Sequence, residues 1–210
     1  MKGLLVAGAG GHGKVVADTA SETGRWDAIA FIDDRFESLR KMIKYPVLGK
    51  LDDAPGFLGE YKDLVVAIGD NLIRVKLLKN FSDVGFNLPF IVHPTAYVSR
   101  DAIIEPGCVI FAQAAVNAGS RIGFGSIINT GSTVDHDCFL GEGVHLSPGV
   151  HLAGEVNVGD YSWLGIASSV IQRVSIGRDV IVGAGTVVVR DILDDVTVVG
   201  VPGRVIKKSD

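Results

Sequence analysis

The chain has 210 residues, of which 47% are hydrophobic, 27 are glycine and only 7% are aromatic. This length suits one or two domains, and a formal charge of −4 argues against a surface for nucleic acid or anionic membranes. No run approaches the roughly 18 apolar residues of a membrane span, and the two cysteines imply no disulfide framework.

The first 90 residues are predicted to form an α/β domain with parallel strands. The opening "KGLLVAGAG" predicts a buried strand rather than a signal peptide, so a cytoplasmic protein is expected. Two further strands are predicted in "DAIAFIDD", which ends in Asp33 and Asp34, and in "KDLVVAIGDN", which ends in Gly69, Asp70 and Asn71. About 90 residues are too few for a complete Rossmann domain but enough for one mononucleotide-binding half.

A glycine-rich turn separates the first predicted strand from the first helix. Gly8, Gly10 and Gly13 match G-x-G-x-x-G in the context that this motif requires. Asp33 follows Gly13 by 20 residues, where an acidic residue would contact a ribose. The motif alone leaves three interpretations open: NAD binding, binding of another nucleotide with its phosphates at the helix N-terminus, or a tight turn that packs helix on strand.

The rest of the chain, 91–210, is periodic. Every sixth residue from Val92 to Val188, 17 positions in all, is Ile, Leu or Val, and Asp194 breaks the series. A second series, four residues after each of these, is mostly small or β-branched, so both series share one face of an extended segment. The pattern predicts short strands with a corner after each, three to a triangular coil, in coils that are stable only when stacked. Both cysteines fall in the second series and are expected in the core, on different faces.

The combination of these two halves resembles the nucleotide-sugar acetyltransferases of the hexapeptide-repeat superfamily. These include the UDP-amino-sugar N-acetyltransferases of bacillosamine-type pathways and the sialic acid O-acetyltransferase family. The matching motifs run along essentially the whole chain: "GAGGHG", "FIDD", "AIGDN", "VHPTA", "INTGSTVDHD", "VHLSPGVHLAG", "WLGIASSV" and "VVGVPGRVI".

The resemblance implies both the architecture and the ligands. An α/β half-Rossmann domain (1–90) would bind the nucleotide sugar, and a left-handed parallel β-helix (91–210) would bind acetyl-CoA. The resemblance also implies a homotrimer with active sites between subunits, and it replaces NAD by a nucleotide sugar as the expected ligand. A UDP-linked 4-amino sugar is favoured as acceptor, while a GDP-linked amino sugar and O-acetylation of sialic acid remain alternatives.

The resemblance further assigns roles to residues that match the family motifs. His136 is the expected general base, which takes a proton from the attacking amine, and Asp137 is its expected partner. Acetyl-CoA is expected to contact His145, Gly154, Ile166 and Ala184. The nucleotide sugar is expected to contact Gly10, Gly11, His12, Gly13, Asp33, Asp34, Gly69, Asn71 and Asn117.

Several of these residues have an alternative interpretation. Asn117 lies 18 residues before Asp135, and an asparagine ladder within the coil stack would explain it equally well. Gly154 can be an ordinary corner glycine, and Ile166 and Ala184 can be packing residues. His151 matches no family motif and is expected at an interface or in solvent.

Two other functional classes share features with this sequence. A zinc enzyme of the γ-carbonic anhydrase type would need converging histidines, but His145 and His151 fall on two faces about 120° apart, so no metal is expected. A non-catalytic nucleotide-binding scaffold would use the glycine-rich turn equally well, but it would give His136 and its flanking acids no role.

Overall fold

A computed structural model describes residues 2–39 and 45–208, and the chain forms two compact units, Met1–Pro94 and Thr95–Asp210. The first unit contains a four-stranded sheet with helices in the connections. Its elements in chain order are β1 (Gly3–Ala7), α1 (Gly11–Glu22), β2 (Ala28–Ile32), α2 (Phe36–Leu39), β3 (Val47–Gly49), a 3₁₀ helix (Leu51–Phe57), β4 (Asp63–Val66), α3 (Asn71–Val84) and β5 (Ile91–Val92).

The sheet of the first unit has the order β3-β2-β1-β4, and all its strands are parallel. The three strands predicted from the sequence are β1 and β2, in the centre of the sheet, and β4, at one edge. The short strand β3, at the other edge, was not predicted. Asp70 caps α3, because its carboxylate accepts a hydrogen bond from the Ile73 N–H at 2.9 Å. Because β1, β2 and β4 are parallel, their carboxyl ends meet, and the glycine-rich turn, Asp33 and Gly69 lie at the same edge of the sheet.

The second unit is a parallel β-helix built almost entirely from two-residue strands. In chain order they are β6 (Tyr97–Val98), β7 (Ile103–Ile104), β8 (Val109–Ile110), β9 (Ala115–Val116), β10 (Arg121–Ile122), β11 (Ile127–Ile128), β12 (Thr133–Val134), β13 (Phe139–Leu140), β14 (His145–Leu146), β15 (His151–Leu152), β16 (Asn157–Val158), β17 (Trp163–Leu164), β18 (Ser169–Val170), β19 (Ser175–Ile176), β20 (Ile181–Val182), β21 (Val187–Val188), β22 (Val196–Val199) and β23 (Arg204–Lys208).

From β6 to β21, every third strand joins the same sheet, so three strands make one coil of 18 residues. The first sheet contains β8, β11, β14, β17, β20 and β22, the second β6, β9, β12, β15, β18 and β21, and the third β7, β10, β13, β16 and β19. Parallel registers such as Ile128↔Leu146 and Val134↔Leu152 join residues 18 apart. Each six-residue repeat of the sequence therefore forms one side of a triangular coil, as predicted.

The core of the β-helix holds both periodic series. The aliphatic residues of the first series from Ile110 to Leu164 are at most 2% exposed. Cys108 and Cys138 are free and buried, which confirms the expectation that both point inward. Buried serines of the second series bridge successive coils: the Ser126 hydroxyl donates to the Gly141 carbonyl at 3.0 Å and accepts from the Val144 N–H at 3.1 Å. These bonds satisfy polar groups that would otherwise be costly to bury.

The repeat ends with a shortened corner after β21. Ile192 pairs with Ile176, where the 18-residue spacing would place Asp194, so this corner has lost two residues. The Asp191 carboxylate accepts the Ser175 N–H at 2.8 Å, a donor that lower coils pair with a backbone carbonyl. Beyond this corner the chain continues into β22, which pairs in parallel with β20 and antiparallel with β23.

Candidate active site

The first unit has a cavity of about 490 Å³ at the carboxyl edge of its sheet. Six of the predicted ligand-contacting residues line it, together with Gly8 of the turn, residues near the end of β2 and the residues that follow β4. The lining residues are Gly8, Gly10, Gly11, His12, Asp33, Asp34, Arg35, Leu51, Ala67, Ile68 and Gly69.

The glycines of the turn have distinct tasks. Gly8 has φ +106°, a conformation that side chains disfavour, and a Cβ on Gly13 would lie 2.0 Å from the Gly8 carbonyl oxygen. Gly13 therefore allows α1 to pack on the turn. A Cβ on Gly11 would meet nothing within 4 Å, so this residue borders open space at the start of α1. The first N–H groups of a helix favour anions, which makes this end of the cavity suited to phosphate.

Asp33 is engaged by the protein itself. Its carboxylate accepts the Ala9 N–H at 2.8 Å and the Arg35 side chain at 3.1 and 3.2 Å, and the residue is only 7% exposed. Burial alone would raise the pKa of Asp33, but the hydrogen bonds from Arg35 and Ala9 hold it below its usual value. Asp33 thus fixes the turn and orients Arg35. Asp34 is exposed, and its carboxylate accepts the Leu51 N–H at 3.2 Å.

Arg35 and Arg74 are two cationic residues that the sequence interpretation missed. Arg35 lines the cavity beside Gly10. Arg74 is 1% exposed and donates to the carbonyls of Ile68 and Gly69 and to the side-chain oxygen of Asn71. Asn71 therefore orients Arg74 and does not line the cavity. Sequence alone offered one signal for Arg35, since a basic residue near an acidic strand end is a known companion of nucleotide phosphates.

His12 is expected to make the stability of the protein sensitive to acid. Burial, and next the charge of Arg74, lower its pKa from 6.5 to about 4, so the folded state holds the ring neutral. The unfolded chain binds the extra proton between pH 6.5 and about 4, and stability is therefore lost as pH falls through this window. Urea unfolding at several pH values should show a smaller acid loss for His12→Gln than for the wild type. Equal losses in both proteins would contradict this role.

His136 lies at the exposed corner that follows β12. Its Nδ1–H donates to the Asp137 carboxylate at 2.8 Å, and its side chain is 54% exposed. The hydrogen bond to Asp137 raises the pKa of His136, and the charges of Asp135, Asp137 and Glu155 act in the same direction against a smaller effect of burial. Because the bound proton sits on Nδ1, Nε2 carries the lone pair in the neutral ring, as a general base requires.

Asp135 holds the backbone of this corner. Its Oδ1 accepts the His136 N–H at 2.9 Å and the Asn117 side-chain amide at 3.0 Å. Asn117 thus lies one coil below Asp135, as its 18-residue spacing predicts, and its amide contacts the next coil. This geometry favours the ladder interpretation of Asn117 over direct contact with a sugar.

Gly154 lies one coil above His136, on the same corner. A Cβ on Gly154 would be 2.4 Å from Nε2 and 2.6 Å from Cε1 of His136. The absence of a side chain here leaves Nε2 open to an approaching group. This is a stronger reason for glycine than an ordinary corner, and it adds a role that the sequence interpretation did not foresee.

Three of the residues expected to contact acetyl-CoA, namely His145, Ile166 and Ala184, lie elsewhere on the β-helix. His145 is half-buried in β14 and stacks on Trp163 with 6.2 Å between ring centroids, while the Trp163 indole N–H donates to the Ser147 hydroxyl at 2.7 Å. Ile166 is 54% exposed at the corner after β17, and Ala184 lies one coil above it. One chain does not bring these residues to His136, because they flank the first sheet whereas His136 follows the second.

His151 lies neither beside His136 nor with His145, Ile166 and Ala184. It is exposed in β15, and its Nδ1 lies 2.9 Å from the Thr133 hydroxyl. Cys138 is close to His136 in the chain but points into the core, where burial raises the pKa of its thiol. A buried, protonated thiol is a poor nucleophile, so the geometry favours direct transfer over an acyl-enzyme.

Within residues 2–39 and 45–208, no group of three or more His, Cys, Asp or Glu side chains could hold a metal ion. No helix in the same ranges is both long and apolar enough to span a membrane.

Comparison with known proteins gives matches to both units. Residues 3–81 match the family described as PglD N-terminal domain. UDP-N-acetylbacillosamine N-acetyltransferase of Bacillus subtilis (strain 168) is 35% identical over 118 residues, 53% of this chain and 52% of that protein. The chain thus spans about half the length of this curated relative.

Solved structures match nearly the full chain. The acetyltransferase domain of PglB from Neisseria gonorrhoeae FA1090, in complex with acetyl coenzyme A, has a TM-score of 0.94 and 43% identity, covering 97% of this chain and 98% of that one. PerB from Caulobacter crescentus, in complex with CoA and GDP-perosamine, has a TM-score of 0.91 and 42% identity, covering 98% and 97%. These similarities confirm the predicted fold class, a half-Rossmann domain followed by a left-handed parallel β-helix.

Proposed function

The chain belongs to the nucleotide-sugar acetyltransferases of the hexapeptide-repeat family, and on that premise we propose that it moves the acetyl group of acetyl-CoA to the amino group of a nucleotide-linked amino-deoxy sugar. The observation that carries this proposal is the His136–Asp137 pair, whose open Nε2 faces the space that Gly154 leaves free. The acetyl-CoA bound to the PglB domain and the CoA and GDP-perosamine bound to PerB supply the ligand classes.

The chemistry follows from the state of the imidazole. The sugar amine attacks the thioester carbonyl, a C–N bond forms, and Nε2 of His136 takes the proton that the nitrogen loses. Asp137 stabilises the resulting imidazolium, as the raised pKa of His136 indicates. The C–S bond then breaks, and the imidazolium returns its proton to the leaving CoA thiolate.

The cavity of the first unit is the proposed site for the nucleotide. The N-terminus of α1 and the Arg35 guanidinium offer N–H donors and positive charge to a diphosphate. Asp34 is the exposed carboxylate at this edge and the better candidate for a base or ribose contact. We favour a UDP-linked 4-amino sugar, since the first unit matches the PglD N-terminal family and the curated relative is named for a UDP-linked sugar.

The proposed assembly is a homotrimer with shared sites. His136 and Gly154 lie on one corner of the β-helix, whereas His145, Ile166 and Ala184 border a different one. A single acetyl-CoA can contact both groups only if they come from two chains. A cyclic arrangement of three β-helices would meet that need three times. The proposed cytoplasmic location is consistent with an activated sugar and acetyl-CoA as substrates.

The test is thiol release from acetyl-CoA with a panel of acceptors. The panel contains UDP- and GDP-linked 4-amino-6-deoxy sugars, the matching 4-hydroxy sugars and free sialic acid. We expect release with a nucleotide-linked amino sugar and none with its 4-hydroxy counterpart.

Other outcomes would change part of the proposal or replace it. Release with the GDP-linked sugar alone would change the nucleotide but keep the reaction. Release with sialic acid alone would make the chain an O-acetyltransferase. Binding of a nucleotide sugar without release from any acceptor would favour the scaffold interpretation.

A further inference from the structure

The corners of the β-helix share one backbone feature. Every sixth residue from Gly107 to Gly185 has a positive φ, so each corner contains one residue in this conformation. Seven of these 14 positions hold glycine, the residue that adopts a positive φ most readily. A side chain at such a position costs free energy, and a functional role can account for that cost. The seven positions with a side chain are Gln113, Asp137, Glu155, Tyr161, Ala167, Arg173 and Asp179.

The charged residues among these are concentrated on the corner that carries His136. Asp137, Glu155 and Arg173 follow one another there at intervals of 18 residues, one in each coil. Aspartate is among the residues enriched at positive φ, but glutamate and arginine are not. Glu155 and Arg173 nevertheless both have φ +62°. Two unfavourable backbone conformations are thus kept in the two coils above the proposed base.

Glu155 and Arg173 form an ion pair along this corner. Oε1 of Glu155 lies 3.1 Å from Nε of Arg173, and both residues are exposed. An exposed ion pair contributes little to the stability of a protein, so stability does not explain why two strained residues are kept. The position of the pair beside the proposed base offers another explanation.

The backbone fixes Glu155 next to His136. The Glu155 N–H donates to the His136 carbonyl at 2.9 Å. Glu155 also directly follows Gly154, the residue that lies against the imidazole. The Arg173 N–H donates to the Gly154 carbonyl at 3.0 Å, which holds the guanidinium one coil further on. The Glu155 carboxylate is therefore within electrostatic reach of the imidazole, and its cationic partner is further away.

The charges that surround His136 come from its own corner and from the coils above it. Asp135 and Asp137 flank the ring, and Glu155 lies one coil above. The same corner of the coil below, residues 117–120, carries no charge. The hydrogen bond to Asp137 contributes most to the raised pKa of His136, and the charges of Asp135 and Glu155 act in the same direction.

We propose that Glu155 is a positioning residue that acts through His136, and that Arg173 controls how much of the Glu155 charge the imidazole experiences. The proposal deepens the proposed function and rests on it, because Glu155 is given no contact with either substrate. A general base works best when its pKa lies near the working pH. Asp137 and Glu155 both raise the pKa of His136, and the Arg173 guanidinium limits this rise by pairing with Glu155.

The two members of the ion pair should therefore shift the base in opposite directions. Glu155→Gln removes a negative charge, so the pKa of His136 should fall, whereas Arg173→Gln leaves the carboxylate unpaired, so the pKa should rise. Each shift should be roughly 0.3–0.6 of a pH unit, the effect of one charge about 5–10 Å away in water, and it should shrink in about 1 M salt. A purely structural ion pair would give the same change in both variants, because either substitution breaks it.

Titration of the histidine Cε1–H signals by NMR measures these shifts without an acceptor. The signal of His136 is identified by its loss in His136→Ala. The matched control is the ion pair of Asp179 and Arg178, in which Asp179 also has a positive φ at a corner. Asp179→Asn and Arg178→Gln should leave the titration of His136 unchanged. The acid limb of kcat/KM, measured with the acceptor that reacts, should follow the NMR shifts.

The outcomes separate this proposal from the proposed function. Opposite shifts of the NMR titration and of the acid limb would support Glu155 and Arg173 in these roles. Shifts in the same direction, or no shift in either variant, would overturn the proposal. If the NMR titration shifts as expected but no acceptor reacts, or the acid limb stays in place, His136 is not the base. That result would overturn the mechanism of the proposed function, and with it the role of Glu155 in acetyl transfer.

Discussion

Replacing His136 by alanine should lower kcat by roughly 10²–10⁴-fold, the usual contribution of a general base. The substitution removes Nε2, while the exposed ring contributes little to the core. Thiol release measured at saturating acetyl-CoA would report the loss, and the KM for the donor should change little. His151→Ala is the matched control, because this histidine is also exposed and occupies the corresponding strand position one hexad after His145. Full activity of His136→Ala would remove the imidazole from the mechanism.

The partner of His136 can be tested through the pH profile. Asp137 raises the pKa of His136 by accepting its Nδ1–H, so Asp137→Asn should lower that pKa. The neutral, basic form would then persist to lower pH, and the acid limb of the kcat profile should move down the pH scale. Asparagine tolerates the left-handed conformation of residue 137, which has φ +56°, so the corner should keep its shape. An acid limb that stays in place would contradict the pairing.

Gly154→Ala should abolish most of the activity without altering His136 chemically. The added methyl carbon would lie 2.4 Å from Nε2, so the imidazole must rotate away or lose access to the amine. We expect kcat to fall by about 10²-fold or more, close to the loss for removing the base itself. Gln172→Ala, one coil higher on the same corner, should keep kcat near the wild-type value.

A double-mutant cycle separates this contact from a general effect on folding. Gly154→Ala should lower the unfolding free energy in the wild type but not in a His136→Ala background, where the methyl group has room. Equal destabilisation in both backgrounds would mean that the corner, and not the imidazole, rejects the side chain. The activity loss would then have another origin.

The β-helix could largely be predicted from the sequence, because an aliphatic side chain is buried in its core at a fixed interval of six residues. Each hexad position from Ile110 to Val188 is buried, as the pattern predicts, whereas the first three, Val92, Val98 and Ile104, are half-buried. The strand β3 was not readable, since three residues at a sheet edge carry little periodic signal. The early end of the repeat was visible at Asp194, but its cause, a corner shortened by two residues, was not.

The candidate site could be predicted from the sequence only in part, because its main contacts join residues of different coils or of different strands. The alternation of strand and corner predicts that His136 is exposed, but not that Gly154 lies against its ring. The motif at the end of β2 draws attention to Asp33, yet the pairing that occupies Asp33 depends on where Arg35 folds back. Such contacts join residues that no local pattern relates.

The shortened corner shows where this architecture accepts changes in length. Within the stack, a coil that gained or lost residues would misalign its hydrogen bonds with the coils on both sides. After β21 the two-residue loss is compensated below by the Asp191 carboxylate, and above it the chain passes into the hairpin of β22 and β23 instead of another coil. Insertions and deletions should therefore be tolerated at this end and rejected in the middle of the stack. A series of one- and two-residue insertions, scored by melting temperature, would map that gradient directly.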